Sequence, residues 1–166
     1  MSLSKKTPFK CPACGRRISV NTWISVNVSI NPELKTQILD GTFGEGSCPF
    51  CGAEGRFLSP FLYHDQQKKI MVGVMSDFTS AMKNQPKPIG YRLRTVKDLG
   101  SLIEKILIFD DGMDDRLIEL IKGCMRAQIH ENNVEMLYAG RDGKKMFFEM
   151  PNDRQRVSIK RDVYHR

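Results

Sequence analysis

Four cysteines stand at the spacing of a metal site. Cys11-Pro12-Ala13-Cys14-Gly15 and Cys48-Pro49-Phe50-Cys51-Gly52 repeat one Cys-Pro-x-Cys-Gly pattern, which makes C-x2-C-x33-C-x2-C overall. Two residues between cysteines let one tight turn aim both sulfurs at a common point. The proline presets φ for the start of that turn, and the glycine can take the positive φ that lets backbone N–H groups face sulfur. Four thiolates are the number a closed tetrahedral site requires. Soft sulfur donors in that arrangement select zinc or iron over magnesium or calcium. The expectation is one Zn2+ shared by Cys11, Cys14, Cys48 and Cys51, with rubredoxin-type iron as the alternative.

Other uses of paired cysteines fit less well. Met1 to Lys6 leads into Pro8 without the apolar segment of a signal peptide, and no run approaches membrane-spanning length. A cytoplasmic location is therefore expected, where thiols stay reduced and paired cysteines bind metal or do redox work. A thioredoxin-like motif would open a helix. Here strand-like Arg17-Ile18-Ser19-Val20 and Arg56-Phe57-Leu58 follow the two knuckles. With protein filling all four positions, none is left for water or substrate, so the metal's expected role is structural. The chain has no nucleophile elbow, phosphate loop, zinc-hydrolase or dinucleotide signature, which leaves an enzyme as the least supported class.

The 166 residues carry 26 Lys and Arg against 19 Asp and Glu, a formal net charge of +7. Four bound thiolates and a divalent cation would leave about +5. Such an excess fits an acidic partner, nucleic acid among them. Lys10, Arg16, Arg17 and Arg56 flank the knuckles, interleaved with Phe9, Phe50 and Phe57, so cationic and stacking groups alternate there. A second cluster, Arg141, Lys144, Lys145, Arg154, Arg156, Lys160 and Arg161, could form a phosphate-binding or docking strip near the C-terminus. The plainer account of the knuckle cluster is solvated charge around a small core at the metal.

These residues need elements to position them. Val26, Val28 and Ile30 alternate with Asn27 and Ser29, as in a strand with one buried face. Asn31-Pro32-Glu33 opens a short helix through Asp40, closed by Gly41. Strands are expected over 57–63 and 69–75, joined by a turn at His64 to Lys68; Pro60 marks an edge or a kink. Residues 77–89, ending in Pro86-Lys87-Pro88, read as linker. Leu99, Leu102, Ile103, Ile106 and Leu107 then lie at helical spacing up to Asp110-Asp111-Gly112. A second helix starts at Asp114 or Asp115, with Leu117, Ile118, Leu120, Ile121, Cys124 and Met125 available for its buried face. A hairpin follows: 134–139, a turn at Gly140 to Gly143, then 145–150.

Three further features have both a plain and a chemical reading. His64-Asp65 could be a catalytic or ligand pair, but a turn or strand-end hydrogen bond is favoured because four cysteines already complete a metal shell. Asp110, Asp111, Asp114 and Asp115 do not match the alternating ligands of a calcium loop, and a cap with a solvated turn is favoured. Cys124 is expected in the core, and Trp23 in the core or at an interface.

The order of features resembles the prokaryotic CpXC family, named for its paired cysteine motifs. The resemblance rests on the two knuckles, the Asn-Pro-Glu-Leu-Lys helix between them, Phe61-Leu62-Tyr63-His64-Asp65, Lys69-Ile70-Met71, and the run from Leu102 to Arg116. It spans about residues 9–126. It implies the four cysteines as the family's defining residues, assigns no activity, and leaves room for a C-terminal extension beyond Arg166. The combined expectation is an α+β protein: a zinc-ribbon-like antiparallel β module over 1–76, a linker over 77–90, and a helical pair with a β-hairpin and basic tail over 91–166. Its expected function is that of a zinc-binding protein-interaction module with an unknown protein partner. The alternative is nucleic-acid binding through Lys10, Arg16, Arg17, Arg56, Lys144 and Lys145.

Overall fold

The computed structural model describes residues 1–75, 88–130, 133–151 and 155–160, and it is an α+β fold. Two compact units divide at Leu99/Gly100. The linker expected over 77–90 falls mostly on 76–87, outside the described residues.

In the first unit, strands β1 (Leu3–Lys10), β2 (Arg17–Asn27), β5 (Phe61–Asp65), β6 (Ile70–Val74) and β7 (Arg92–Val96) form one sheet in the order β1-β2-β5-β6-β7. β1·β2 and β5·β6 are antiparallel hairpins, while β2·β5 and β6·β7 are parallel, so the sheet is mixed. Residues 92–96, expected with the helical half, belong here because β7 returns to pair with β6 from Ile70↔Arg92 to Val74↔Val96. Helix α1 (Pro32–Asp40) has Asn31 at its N-cap position, Pro32 in its first turn and Gly41 in the left-handed conformation at its end. It buries Leu34 and Ile38. Val26, Ile38, Phe43, Phe61, Tyr63, Ile70, Val72 and Val74 are all at most 3% exposed and form the core of this unit.

A separate two-stranded ribbon, β3 (Glu45–Ser47) with β4 (Glu54–Arg56), completes the unit. It matters out of proportion to its size. The first knuckle is the tip of the β1–β2 hairpin, between the pair Lys10↔Arg17, and the second is the tip of β3–β4, between Ser47↔Glu54.

Two local expectations change. The strand expected over 57–63 starts only at Phe61, after Pro60, so His64 and Asp65 lie in β5 and the turn is 66–69. Ile30 is exposed because β2 ends at Asn27, whose carbonyl accepts from the Ile30 and Asn31 N–H groups.

The second unit holds α2 (Leu99–Asp110) and α3 (Asp115–Gln128) and a three-stranded antiparallel sheet, β8 (Leu137–Asp142), β9 (Lys145–Met150) and β10 (Gln155–Lys160), in the order β10-β9-β8. Asp114 caps α3, its carboxylate accepting from the Arg116 N–H. The turn is Gly143-Lys144, while Gly140 sits inside β8 where the register shifts. Residues 155–160, expected as tail, pair with β9. Cys124 is exposed, as are Leu117 and Leu120, contrary to the core role expected of them. The phase of α3 is set instead by Asp115, Ile118, Ile121 and Lys122, which are buried.

Candidate metal centre

The two knuckles share one geometry. In the first, the Cys11 N–H donates to the Arg16 carbonyl and the Gly15 N–H to the Cys11 carbonyl, both at 2.9 Å. In the second, Cys48 N–H to Ala53 carbonyl and Gly52 N–H to Cys48 carbonyl repeat the pattern, again at 2.9 Å. Gly15 and Gly52 both have φ +70°, the left-handed region that side chains resist. The leading cysteine of each knuckle, Cys11 or Cys48, is 2% exposed. The trailing ones, Cys14 and Cys51, stand further out.

Facing one another, the tips bring all four Sγ atoms within 4.8 Å. Cys11 Sγ to Cys51 Sγ is 3.8 Å and Cys14 Sγ to Cys48 Sγ is 3.9 Å, so each close pair joins the two knuckles. A tetrahedron of sulfurs about 2.3 Å from a central ion has edges of about 3.8 Å. A disulfide needs about 2.05 Å. The donor set and its span therefore fit a tetrahedral metal ion, and all four cysteines are free thiols. Ile18, Phe9, Val20, Ala53 and Phe57 pack around Cys11 and Cys48, with Phe9 and Phe57 edge to face at 5.4 Å. Arg16 places its guanidinium 5.0 Å above the Phe50 ring, a second bridge from one knuckle to the other.

Electrostatics point the same way. The Cys14 N–H, seconded by that of Ala13, draws the Cys11 thiol down to about 7 against the effect of desolvation. Cys51 goes the other way: the Ala53 N–H favours its thiolate, but desolvation and the three neighbouring sulfurs outweigh it and push the thiol up to about 12. Four sulfurs this close cannot all be thiolates unless a cation sits among them.

The basic candidates separate. Lys10, Arg16 and Arg17 are exposed around the first knuckle. Arg56, beside the second, is engaged: it donates to the Gly41 carbonyl and lies 3.9 Å from Glu45. Lys144 and Lys145 are exposed on the β8–β9 hairpin, in the other unit. His64 Nε2 lies 3.1 Å from the Tyr91 hydroxyl, and burial holds its pKa below the ordinary 6.5 despite Asp65 beside it. Asp65 accepts from the Lys68 N–H and lies 3.8 Å from Lys35 Nζ, so this pair is part of the sheet's framework.

One cluster was not anticipated. In the second unit Glu104, Lys105, Asp115 and Lys122 are buried together. Lys122 Nζ reaches Glu104 at 2.9 Å and Glu119 at 3.0 Å; Lys105 reaches Asp115 at 3.3 Å; Glu104 also accepts from the Tyr138 N–H at 2.7 Å. The one trace of it in the sequence is a Glu-Lys pair inside the apolar run Leu102 to Leu107.

No helix among the described residues is long and apolar enough to cross a membrane. No curated protein and no solved structure matches the chain. A family model described as CpXC protein matches residues 9–122, which takes in both knuckles, the whole of β2 and the β3–β4 hairpin. With that match covering well over half of its 166 residues, the chain belongs to the CpXC family.

Proposed function

We propose that this protein is a non-catalytic binding module in which one Zn2+, held by Cys11, Cys14, Cys48 and Cys51, fixes two hairpin tips, and that the first unit so fixed binds nucleic acid. Four thiolates fill a tetrahedral shell, so the metal supplies a cross-link and no open Lewis-acid position. Zinc is favoured over iron because it takes this geometry without redox chemistry in a reducing cytoplasm.

The observation that carries the nucleic-acid reading is the uneven charge. The first unit, Met1–Leu99, has 14 Lys and Arg against 7 Asp and Glu, whereas the second has 12 of each, so the whole formal excess of +7, about +5 with zinc bound, lies with the metal-bearing unit. That distribution puts nucleic acid ahead of the protein-docking role expected first from sequence, and it shifts weight away from Lys144 and Lys145. Binding of a labelled oligonucleotide to the zinc-loaded full chain tests it. Affinity should fall linearly in log–log form with salt as counterions are released. No binding at low salt, or binding indifferent to salt, overturns it. A protein partner remains as the second reading, favoured by the exposed apolar stripe Leu117, Leu120 and Cys124 on α3. Leu120→Glu should then abolish co-purification of that partner while leaving nucleic-acid binding unchanged.

A further inference from the structure

The β1–β2 hairpin is a ribbon with an acid-free, basic outer face. Residues directly opposite in an antiparallel pair project to the same side. The register Lys10↔Arg17, Pro8↔Ser19, Lys6↔Asn21 and Ser4↔Trp23 therefore puts Lys10, Arg17, Lys6, Asn21 and Trp23 on one face. All but Trp23 are exposed, and Trp23 is half-buried. The chain has no Asp or Glu before Glu33. Among the described residues none of Lys6, Lys10 and Arg17 has an ion-pair partner, and Lys10 sits directly across from Arg17. Like charges directly opposite destabilise a sheet. The net negative charge of a zinc–tetrathiolate centre at the adjacent tip would relieve the Lys10–Arg17 pair in part; Lys6, further along the face, is left for an external polyanion.

Beside this face, along the edge of β2 before it pairs with β5, lies a cavity. Asn21 and Trp23 line a space of about 310 Å³ there together with Val20 of the opposite face, Phe57, Phe61, Gln37 and Glu45. The half-buried Trp23 and Phe57 rings offer stacking. The exposed amides of Asn21 and Gln37 each present a donor and an acceptor to a heterocycle's edge. From Arg17 to Trp23 the strand runs about 20 Å, room for several nucleotides of extended chain. At the opposite end the half-exposed Phe50 ring, with Arg16 over it, offers a second stacking surface at the metal tip.

Resting on the nucleic-acid reading above, we propose that the outer face of the β1–β2 ribbon is a track for single-stranded nucleic acid, its phosphates on Lys6, Lys10 and Arg17 and one unpaired base stacked on Trp23 at the cavity. A duplex keeps its bases stacked and paired, out of reach of this cavity. A cationic track with aromatic stations is the usual form of sequence-tolerant single-strand binding.

Trp23 is the only tryptophan, so its fluorescence reports the site directly. Titrating the zinc-loaded full chain with unlabelled oligothymidine about 12 nucleotides long should quench it, and the matching duplex should not. Trp23→Leu should weaken binding about 10- to 100-fold with the salt slope unchanged. Lys6→Gln/Lys10→Gln/Arg17→Gln, three surface changes, should reduce the salt slope by about 2. Absence of binding by any nucleic acid removes both this inference and the reading beneath it. Binding with unchanged Trp23 fluorescence and an unaltered slope in the triple variant overturns the track alone. Equal affinity for duplex does the same.

Discussion

Cys11 and Cys48 lie in a small core at 2% exposure, while Cys14 and Cys51 complete the tetrahedron from its outer side. All four are needed to close it, but the inner pair also packs. Cys48→Ser should therefore lose bound metal, measured by metal analysis, and with it the folded first unit, measured by thermal melting. Full stoichiometry with an unchanged melt would overturn the structural role. In the second unit, Lys122 is 3% exposed and holds Glu104, which in turn accepts the Tyr138 N–H. Lys122→Met leaves a buried carboxylate without its cation, and chemical denaturation should show a loss of about 3–5 kcal/mol. Adding Glu104→Gln removes that orphaned charge and should recover a large part of the loss; a double variant as unstable as the single would show that packing, not charge, sets the cost. His64 gives a pH effect of definite sign. Its folded pKa lies below the ordinary 6.5, so the unfolded chain binds the extra proton first. Stability from this group is complete above 6.5 and declines as pH falls toward the folded value. His64→Gln should flatten that decline in the zinc-loaded protein. An identical slope in the variant would assign it to other groups.

At the scale of elements, the metal site depends on two hairpins whose tips carry no regular structure of their own. β3 and β4 have three residues each, too short to be stable as an isolated ribbon. Their anchor is Gly44, whose carbonyl accepts the Phe57 N–H at 2.7 Å and whose φ is +80°. A Cβ there would stand 2.6 Å from Leu58 Cδ2 and 3.0 Å from the Phe57 carbonyl oxygen. Leu58 can give way; the backbone oxygen and the positive φ cannot. Gly44→Ala should therefore cost about 1–3 kcal/mol and weaken metal retention in a chelator competition. An unchanged competition curve would mean that the metal alone orders β3 and β4. The helix α3 shows how an element's phase can escape a sequence pattern. Leu117, Leu120 and Cys124 are spaced as well for burial as Ile118 and Ile121 are. The ion network through Asp115 and Lys122 turns the helix the other way, because buried charges must face their partners.

At the scale of the whole molecule, the two units carry different charge, and only the first holds the four clustered cysteines. Structural zinc in small modules contributes on the order of 10 kcal/mol to folding. A strong chelator should thus abolish the first unit's transition in calorimetry while the helical signal of α2 and α3 persists. Simultaneous loss of both would show that the second unit needs the first. The sequence by itself determined the cysteine pairs, the helix after Asn31-Pro32, the helical stretch beyond Leu99 and the family. Each of those is written in local spacing: a turn of two residues, a cap, a period of 3.6. Tertiary structure alone decided which carboxylates and lysines are buried together. It also decided that β7 completes the first sheet, and that Lys6, Lys10, Arg17 and Trp23 share a face. Those relations depend on strand register and on partners distant in the chain, which no local pattern encodes. The paired knuckles are legible because both cysteines of each knuckle lie within one turn. That the two turns meet with sulfurs 3.8 and 3.9 Å apart is a property of the folded hairpins.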